Sequence, residues 1–296
     1  MTLRILFFTL CIHFIGYAQE SVQVDSNQEF VNFLENSLNA TSVNKESTRE
    51  FYQRAWKYWM NNKIDYNLNS EKYSQAISLF HLNQQKYTWD KDIKLDRFED
   101  DIENFRRFDS RNTLAKNPIL FIGSSSIVYW ETSTYFPDYP IINRGFGGAS
   151  IPEIIYYYND VVKKHKPSIV VLYCDIDVEN GKSPDVAVNA FKELVDKIER
   201  DFPKIQILIL SMKPTLIDDF LGENVRKNKI ITNKKLESYC ADKENLHYID
   251  ITNGMFLSDG SLKSDIFLSD GMHLNVLGYD LWSPIIRNKI SDLNKE

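Results

Sequence analysis

Three short stretches of this 296-residue chain hold residue types that could do chemistry together. The first is Gly123-Ser124-Ser125-Ser126, placed between the apolar run 119–122 and a helix-like segment. A serine on such a strand-to-helix turn projects its hydroxyl from the sheet edge, beside helix amides that can hold negative charge. The second is Asn143-Arg144-Gly145-Phe146-Gly147-Gly148. Its glycines let a backbone amide approach a ligand, and the Gly148 N–H could meet a developing alkoxide. Dinucleotide binding would need G-x-G-x-x-G, but Ser150 stands at the last position. The third is Asp270-Gly271-Met272-His273-Leu274-Asn275. A carboxylate three residues ahead of an imidazole can fix its tautomer and raise its basicity toward a serine hydroxyl. Taken singly, each stretch also fits a plain turn, with Asp270 or Asn275 capping the last helix.

A frame must bring these stretches to one edge. From Pro118 onward, β-rich runs at 119–122, 140–142, 168–173, 205–210 and 246–251 alternate with helix-like segments at 151–164, 184–201, 224–240 and 276–293. That alternation predicts a parallel sheet with helices on both faces. Ligand loops of such sheets lie at the carboxyl ends of the strands. Ahead of the sheet, residues 20–115 contain neither Gly nor Pro. Apolar residues recur there at helical spacing, as in Phe51, Ala55, Trp56, Trp59 and Met60, or Leu95, Phe98, Ile102, Phe105 and Phe108. This predicts helix after helix, with joints at 67–70 and 83–86 and the aromatic rings as interhelical core.

Composition excludes several classes. A net charge of −6 and a pI near 5.5 argue against a nucleic-acid binder, which needs a basic surface. Eleven Gly and nine Pro are too few for a collagen-like or low-complexity chain. Three Cys exclude a disulfide-dense scaffold, and Cys174, at the end of an apolar run, reads as a buried free thiol. Residues 1–18 have the pattern of a signal peptide: Arg4, an apolar run at 5–15, then the small residues Gly16 and Ala18. The expected location is therefore secreted or periplasmic. The run falls short of the roughly 20 apolar residues of a membrane span, and no later stretch is long and apolar enough to provide one.

Together the three stretches resemble the SGNH hydrolases, also called GDSL-type. The resemblance spans roughly residues 95–293. It rests on ILFIGSSSIVYW (119–130), IINRGFGG (141–148), VVLY (170–173) with GKSP (181–184), SMKPT (211–215) and FLSDGMHLNVLGYDLW (267–282). It implies a flavodoxin-like three-layer α/β/α fold with a parallel sheet of about five strands. The expected division is a signal peptide at 1–18, an all-helical region at 19–94 and the hydrolase domain at 95–296. The resemblance also implies serine esterase chemistry, with Ser125 as nucleophile, His273 as general base and Asp270 as its orienting carboxylate. The amides of Ser125 and Gly148 would form the oxyanion hole, with no metal or cofactor. The implied partner is a small-molecule or carbohydrate ester with a short acyl group such as acetyl.

One block departs from the family pattern. The family carries G-x-N-D after the third strand, and its Asn is an oxyanion donor. Here Cys174-Asp175-Ile176-Asp177 places Ile176 at that position. Isoleucine cannot donate, and losing one such donor costs on the order of 10²–10³ in rate. Asn180 could substitute in a rebuilt loop, while Asp175 and Asp177 read as loop caps. The departure supports an alternative: a catalytically impaired binding module for glycan or protein. Loops 126–138, 174–183 and 213–225 carry Trp130, Tyr135, Phe136, Phe220 and Leu221, expected to form an apolar pocket wall.

Overall fold

The computed structural model describes residues 26–68, 71–87 and 95–295. Segment 1–18, read as a signal peptide, lies outside these residues, as does the end of the joint expected at 67–70. Five strands form one sheet: β1 (Ile119–Gly123), β2 (Ile141–Gly145), β3 (Ile169–Tyr173), β4 (Gln206–Leu210) and β5 (Leu246–Ile249). Their order is β2-β1-β3-β4-β5, and every neighbouring pair is parallel. The chain leaves β1 toward β2 on one side and later enters β3 on the other. That reversal opens a crevice at the carboxyl ends of β1 and β3, where this fold binds ligands. Every residue of β1 and β3 is buried, as a sheet covered on both faces requires.

Three helices precede the sheet: α1 (Ser26–Leu38), α2 (Lys45–Leu68) and α3 (Ser74–Lys86). A 3₁₀ turn at Leu95–Phe98 leads into α4 (Glu99–Arg111). Between the strands lie α5 (Ser125–Val128), α6 (Thr132–Tyr135), α7 (Ile151–Tyr156), α8 (Tyr158–Val161), α9 (Ile176–Glu179), α10 (Pro184–Asp201), α11 (Asp218–Leu221) and α12 (Val225–Ala241). The last helix is α13 (Val276–Leu293).

The strands divide their side chains between two layers with the period of two that a pleat imposes. Leu120, Ile122, Val170 and Leu172 pack with α7, α8, α10 and α12, and Phe98 and Ile102 join this layer. Phe121, Val171 and Leu208 face the opposite way, onto Trp130, Phe136 and the Trp282–Ile286 stripe of α13. A third cluster joins Phe30, Leu34, Phe51, Trp59 and Phe80 of the first three helices to Ile217 and Phe220, which follow β4.

Several expectations need correction. Residues 83–86 do not form a joint, because α3 runs through Lys86. Asn83 is fully buried, and its Nδ2 donates to the carbonyls of Leu34 and Leu79 at 2.9 Å each. These two bonds from the Asn83 NH₂ group tie α3 to α1 rather than breaking α3. Segment 151–164 is also not one helix but α7, α8 and a 3₁₀ turn, Lys163–His165. Trp130, Phe136 and Phe220 do not form an exposed pocket wall, since each is at most 5% exposed. Their rings gain more by leaving water against the strands and helices. The Trp130 indole N–H is satisfied there by Ser283 Oγ at 2.9 Å. Tyr135 and Leu221 are half-buried. Cys174 and Cys240 are both buried and free. Among the described residues no helix is long and apolar enough to cross a membrane.

Candidate active site

Ser125 is the first residue of α5, two residues after Gly123 ends β1. Gly123 has φ +145°, and a Cβ built there would lie 1.8 Å from the Tyr173 carbonyl oxygen. Only glycine allows β1 to end this close to β3. The next amide, Ser124 N–H, donates to that same carbonyl at 3.2 Å. The turn therefore places Ser125 at the β1/β3 crevice.

His273 arrives from the loop between β5 and α13. Asp270 builds this turn: its Oδ1 accepts the amides of Met272 and His273 at 2.8 and 2.9 Å. Its Oδ2 lies 2.6 Å from His273 Nδ1. The other ring nitrogen, Nε2, lies 2.9 Å from Ser125 Oγ. Asn275 does the separate job of capping α13, accepting the Gly278 N–H at 3.3 Å. The two roles open in the sequence thus fall to different residues. Burial alone would push the Asp270 carboxyl up. The hydrogen bond and charge of His273, with the two amides, outweigh it and hold Asp270 below the usual carboxylate range. The Tyr129 ring meets the imidazole edge-on at 4.9 Å between centroids.

Gly148 has φ +81°, with no neighbouring atom within 4 Å of an added Cβ. Its carbonyl accepts from Arg97 Nη2 at 2.8 Å. The same guanidinium pairs with the fully buried Glu153. Glu153 in turn accepts the Ser150 amide and hydroxyl, both at 2.8 Å. Arg97 and Glu153 thereby pin the turn on either side of Ala149. Among the described residues, the amides of Ser125 and Gly148 donate to no protein acceptor.

The block after β3 is divided among several tasks. Ile176 opens α9, half-buried against the larger core layer. Asp177 acts as a loop cap, accepting the Ile151 N–H of α7 at 2.9 Å. Asn180 is exposed at the end of α9. Asp175 is not a cap but the centre of a buried ionic network. Its Oδ2 accepts the Tyr173 hydroxyl at 2.6 Å and faces the ammonium groups of Lys213 and Lys229 at 3.4 and 3.7 Å. Lys213 Nζ also donates to Ser126 Oγ at 3.1 Å, one residue from Ser125. Lys229 reaches Glu179 at 2.7 Å and Asp218 at 2.9 Å.

Burial raises the pKa of Asp175, but the charges of Lys213 and Lys229 prevail and lower it overall. Glu179 is pushed up, by burial and then by the charge of Asp175. Sequence reasoning missed Arg97, Lys213 and Lys229. The available signal was a lysine almost directly after the apolar strand β4, inside the SMKPT stretch.

A family model for the GDSL-like Lipase/Acylhydrolase family matches residues 131–281, just over half of the chain. The match includes Gly148, Asp270 and His273 and begins shortly after Ser125. Among solved structures, a Streptococcus pneumonia protein assigned as a platelet activating factor is 19% identical with a TM-score of 0.59. That match covers 66% of this chain and 93% of that one. A Bacteroides fragilis protein assigned as an acylhydrolase is 20% identical, with a TM-score of 0.54 and coverage of 69% and 99%. A GDSL-like lipase of Bacteroides thetaiotaomicron is 19% identical, with a TM-score of 0.55 and coverage of 65% and 99%. At these identities the likeness is one of fold. No curated protein sequence matches the chain.

Proposed function

The chain belongs to the GDSL-like lipase/acylhydrolase family, and from that premise we propose that it is an exported serine esterase that removes short acyl groups through an acyl-enzyme on Ser125. The natural substrates are small esters, O-acetylated carbohydrates among them. The observation that carries this reading is the continuous line from Asp270 Oδ2 through the His273 ring to Ser125 Oγ, with steps of 2.6 and 2.9 Å. Residues 1–18 serve as the export signal.

The proposed reaction uses this line of groups twice. Asp270 accepts the His273 Nδ1–H, which leaves Nε2 as the basic nitrogen toward Ser125. As Ser125 Oγ attacks the ester carbonyl, its proton passes to Nε2. The carbonyl oxygen becomes an alkoxide, received by the amides of Ser125 and Gly148. Collapse breaks the bond to the leaving alcohol, which takes the proton from His273. The acyl group then rests on Ser125. Water repeats the sequence with His273 as base, releasing the carboxylic acid and restoring the serine.

Ile176 supplies no third donor, so turnover is slower than with a full oxyanion hole, by on the order of 10²–10³. The test is hydrolysis of p-nitrophenyl acetate and a panel of acetylated sugars by the wild type and Ser125→Ala. Hydrolysis by the wild type and none by the variant supports the reading. Equal rates would end it.

A further inference from the structure

The loop that carries His273 is supported from outside the sheet. Leu216 N–H donates to the Gly271 carbonyl at 2.9 Å, inside the Asp270–His273 turn. Leu216 and Ile217 also pack against Gly271, whose added Cβ would meet them at 3.2 and 3.3 Å. The segment after β4 therefore backs the turn that sets the imidazole.

That segment is held at two ends by different means. One end is polar: Thr215 N–H and Oγ1 donate to Asp218 at 3.0 and 2.7 Å, and Lys229 Nζ donates to Asp218 at 2.9 Å. The other end is held by the N-terminal helices. Phe220 stacks on Phe80 with ring centroids 4.5 Å apart and planes 8° apart, and on Trp59 at 5.2 Å. His81 Nε2 donates to the Asp219 carbonyl at 2.7 Å, and Gln84 Nε2 to the Leu221 carbonyl at 2.9 Å. Met272, the residue before His273, packs into the same helical cluster.

We propose that α1–α3 form a brace for the His273 loop, and that Phe220 is the positioning residue coupling the helices to the imidazole. Phe220 touches no reacting atom. It acts by holding the 215–221 segment against Gly271 and Met272. A shift of about 1 Å at a catalytic group can lower a rate by on the order of 10²-fold. The helical region is then part of the machinery rather than a separate module.

The test compares the wild type, Phe220→Ala, Phe220→Leu and the double variant His81→Ala/Gln84→Ala. Two readouts are taken: kcat and KM on p-nitrophenyl acetate, and the low-field NMR signal of the His273 Nδ1–H bonded to Asp270. The kinetic readout rests on the esterase reading, whereas the NMR signal does not. A wild type that shows the signal but hydrolyses no ester defeats the esterase reading alone, and the signal then decides on the brace.

The expected result is a broadened or lost signal in Phe220→Ala, with kcat lower by roughly 10²-fold and KM nearly unchanged. Phe220→Leu restores most of both. The double variant leaves the apolar cluster filled, so it moves both readouts in the same direction by less. A folded Phe220→Ala with wild-type signal and wild-type kcat would overturn the proposal. Should Phe220→Ala fail to fold, a double variant with wild-type signal would do the same.

Discussion

His273 Nε2 lies 2.9 Å from Ser125 Oγ across 148 residues of chain. Two different devices meet at this point. Ser125 is placed by a glycine that lets β1 end against the Tyr173 carbonyl. His273 is placed by a turn folded around one carboxylate and closed by the Leu268 N–H, which donates to the His273 carbonyl at 2.7 Å. Each device is local, and the sheet supplies the common edge. The distance between the two side chains is therefore sensitive to either turn.

Asp270 has two duties that one substitution separates. In Asp270→Asn the remaining oxygen still accepts the amides of Met272 and His273, so the turn survives. The new NH₂ group cannot accept the Nδ1–H, and the ring loses its productive tautomer. The expected outcome is a fall in kcat of about 10⁴, with a folded protein and a melting temperature lowered only by the lost charge of Asp270. Steady-state kinetics beside a thermal melt checks this. A kcat close to the wild type would remove Asp270 from the orienting role.

Gly123→Ala should be far more harmful than its size suggests. The added methyl would sit 1.8 Å from the Tyr173 oxygen at φ +145°. Relief requires β1 and β3 to part, which also breaks the hydrogen bond from the Ser124 N–H to the Tyr173 carbonyl. A loss of more than about 3 kcal/mol is expected. Gly148→Ala is the contrast: its φ is +81°, but no atom lies within 4 Å of the new Cβ, so strain alone acts, at about 1–2 kcal/mol. Denaturant midpoints of the two variants test the order. Equal losses would show that the Tyr173 contact relaxes at no cost.

The meeting of Ser125, Asp270 and His273 was legible because all three stand in short turns beside recognisable elements. Turn chemistry is local, so its signal survives in the chain. Partner choice over long distances does not leave such a mark. Lys213 and Lys229 are 2% exposed, yet a lysine in sequence reads as surface because burial is ordinarily too costly. Only the fold brings Asp175, Glu179 and Asp218 to them. Arg97 is similar, since its bond to the Gly148 carbonyl joins residues far apart in sequence. Trp130 and Phe136 failed as wall residues for a related reason. A ring in a predicted loop carries no record of whether it turns outward or folds onto a strand.

The ionic network behind Ser125 predicts a non-additive pair. Lys213→Met leaves Asp175 facing a lower positive charge in a buried site, and its carboxyl moves back up toward the ordinary range. Breaking a buried pair in this way costs about 3–5 kcal/mol. Adding Asp175→Asn removes the stranded charge, so the double variant should be more stable than Lys213→Met alone. Urea unfolding of the two single variants and the double variant gives the coupling. Strict additivity would mean that Lys213 and Asp175 do not sense each other.

His165 predicts the acid side of the stability profile. It ends the 3₁₀ turn Lys163–His165 and is 5% exposed. Burial first, then the charge of Arg144, pulls its pKa from the usual 6.5 down to about 4, against an opposing pull from Asp109. The unfolded chain therefore binds a proton in a range where the folded protein does not. Stability is unaffected by this group above about 6.5, falls as pH drops below that value, and has lost its full share below about 4. Asp160 and Asp270, both held below the usual carboxylate range, add losses of the same sign at lower pH. His165→Leu removes only the imidazole part. Between about pH 7 and about pH 5, the wild type should lose more unfolding free energy than His165→Leu. Denaturant unfolding of both proteins at the two pH values measures it. Parallel losses would show that His165 is protonated as readily in the folded protein as in the unfolded chain.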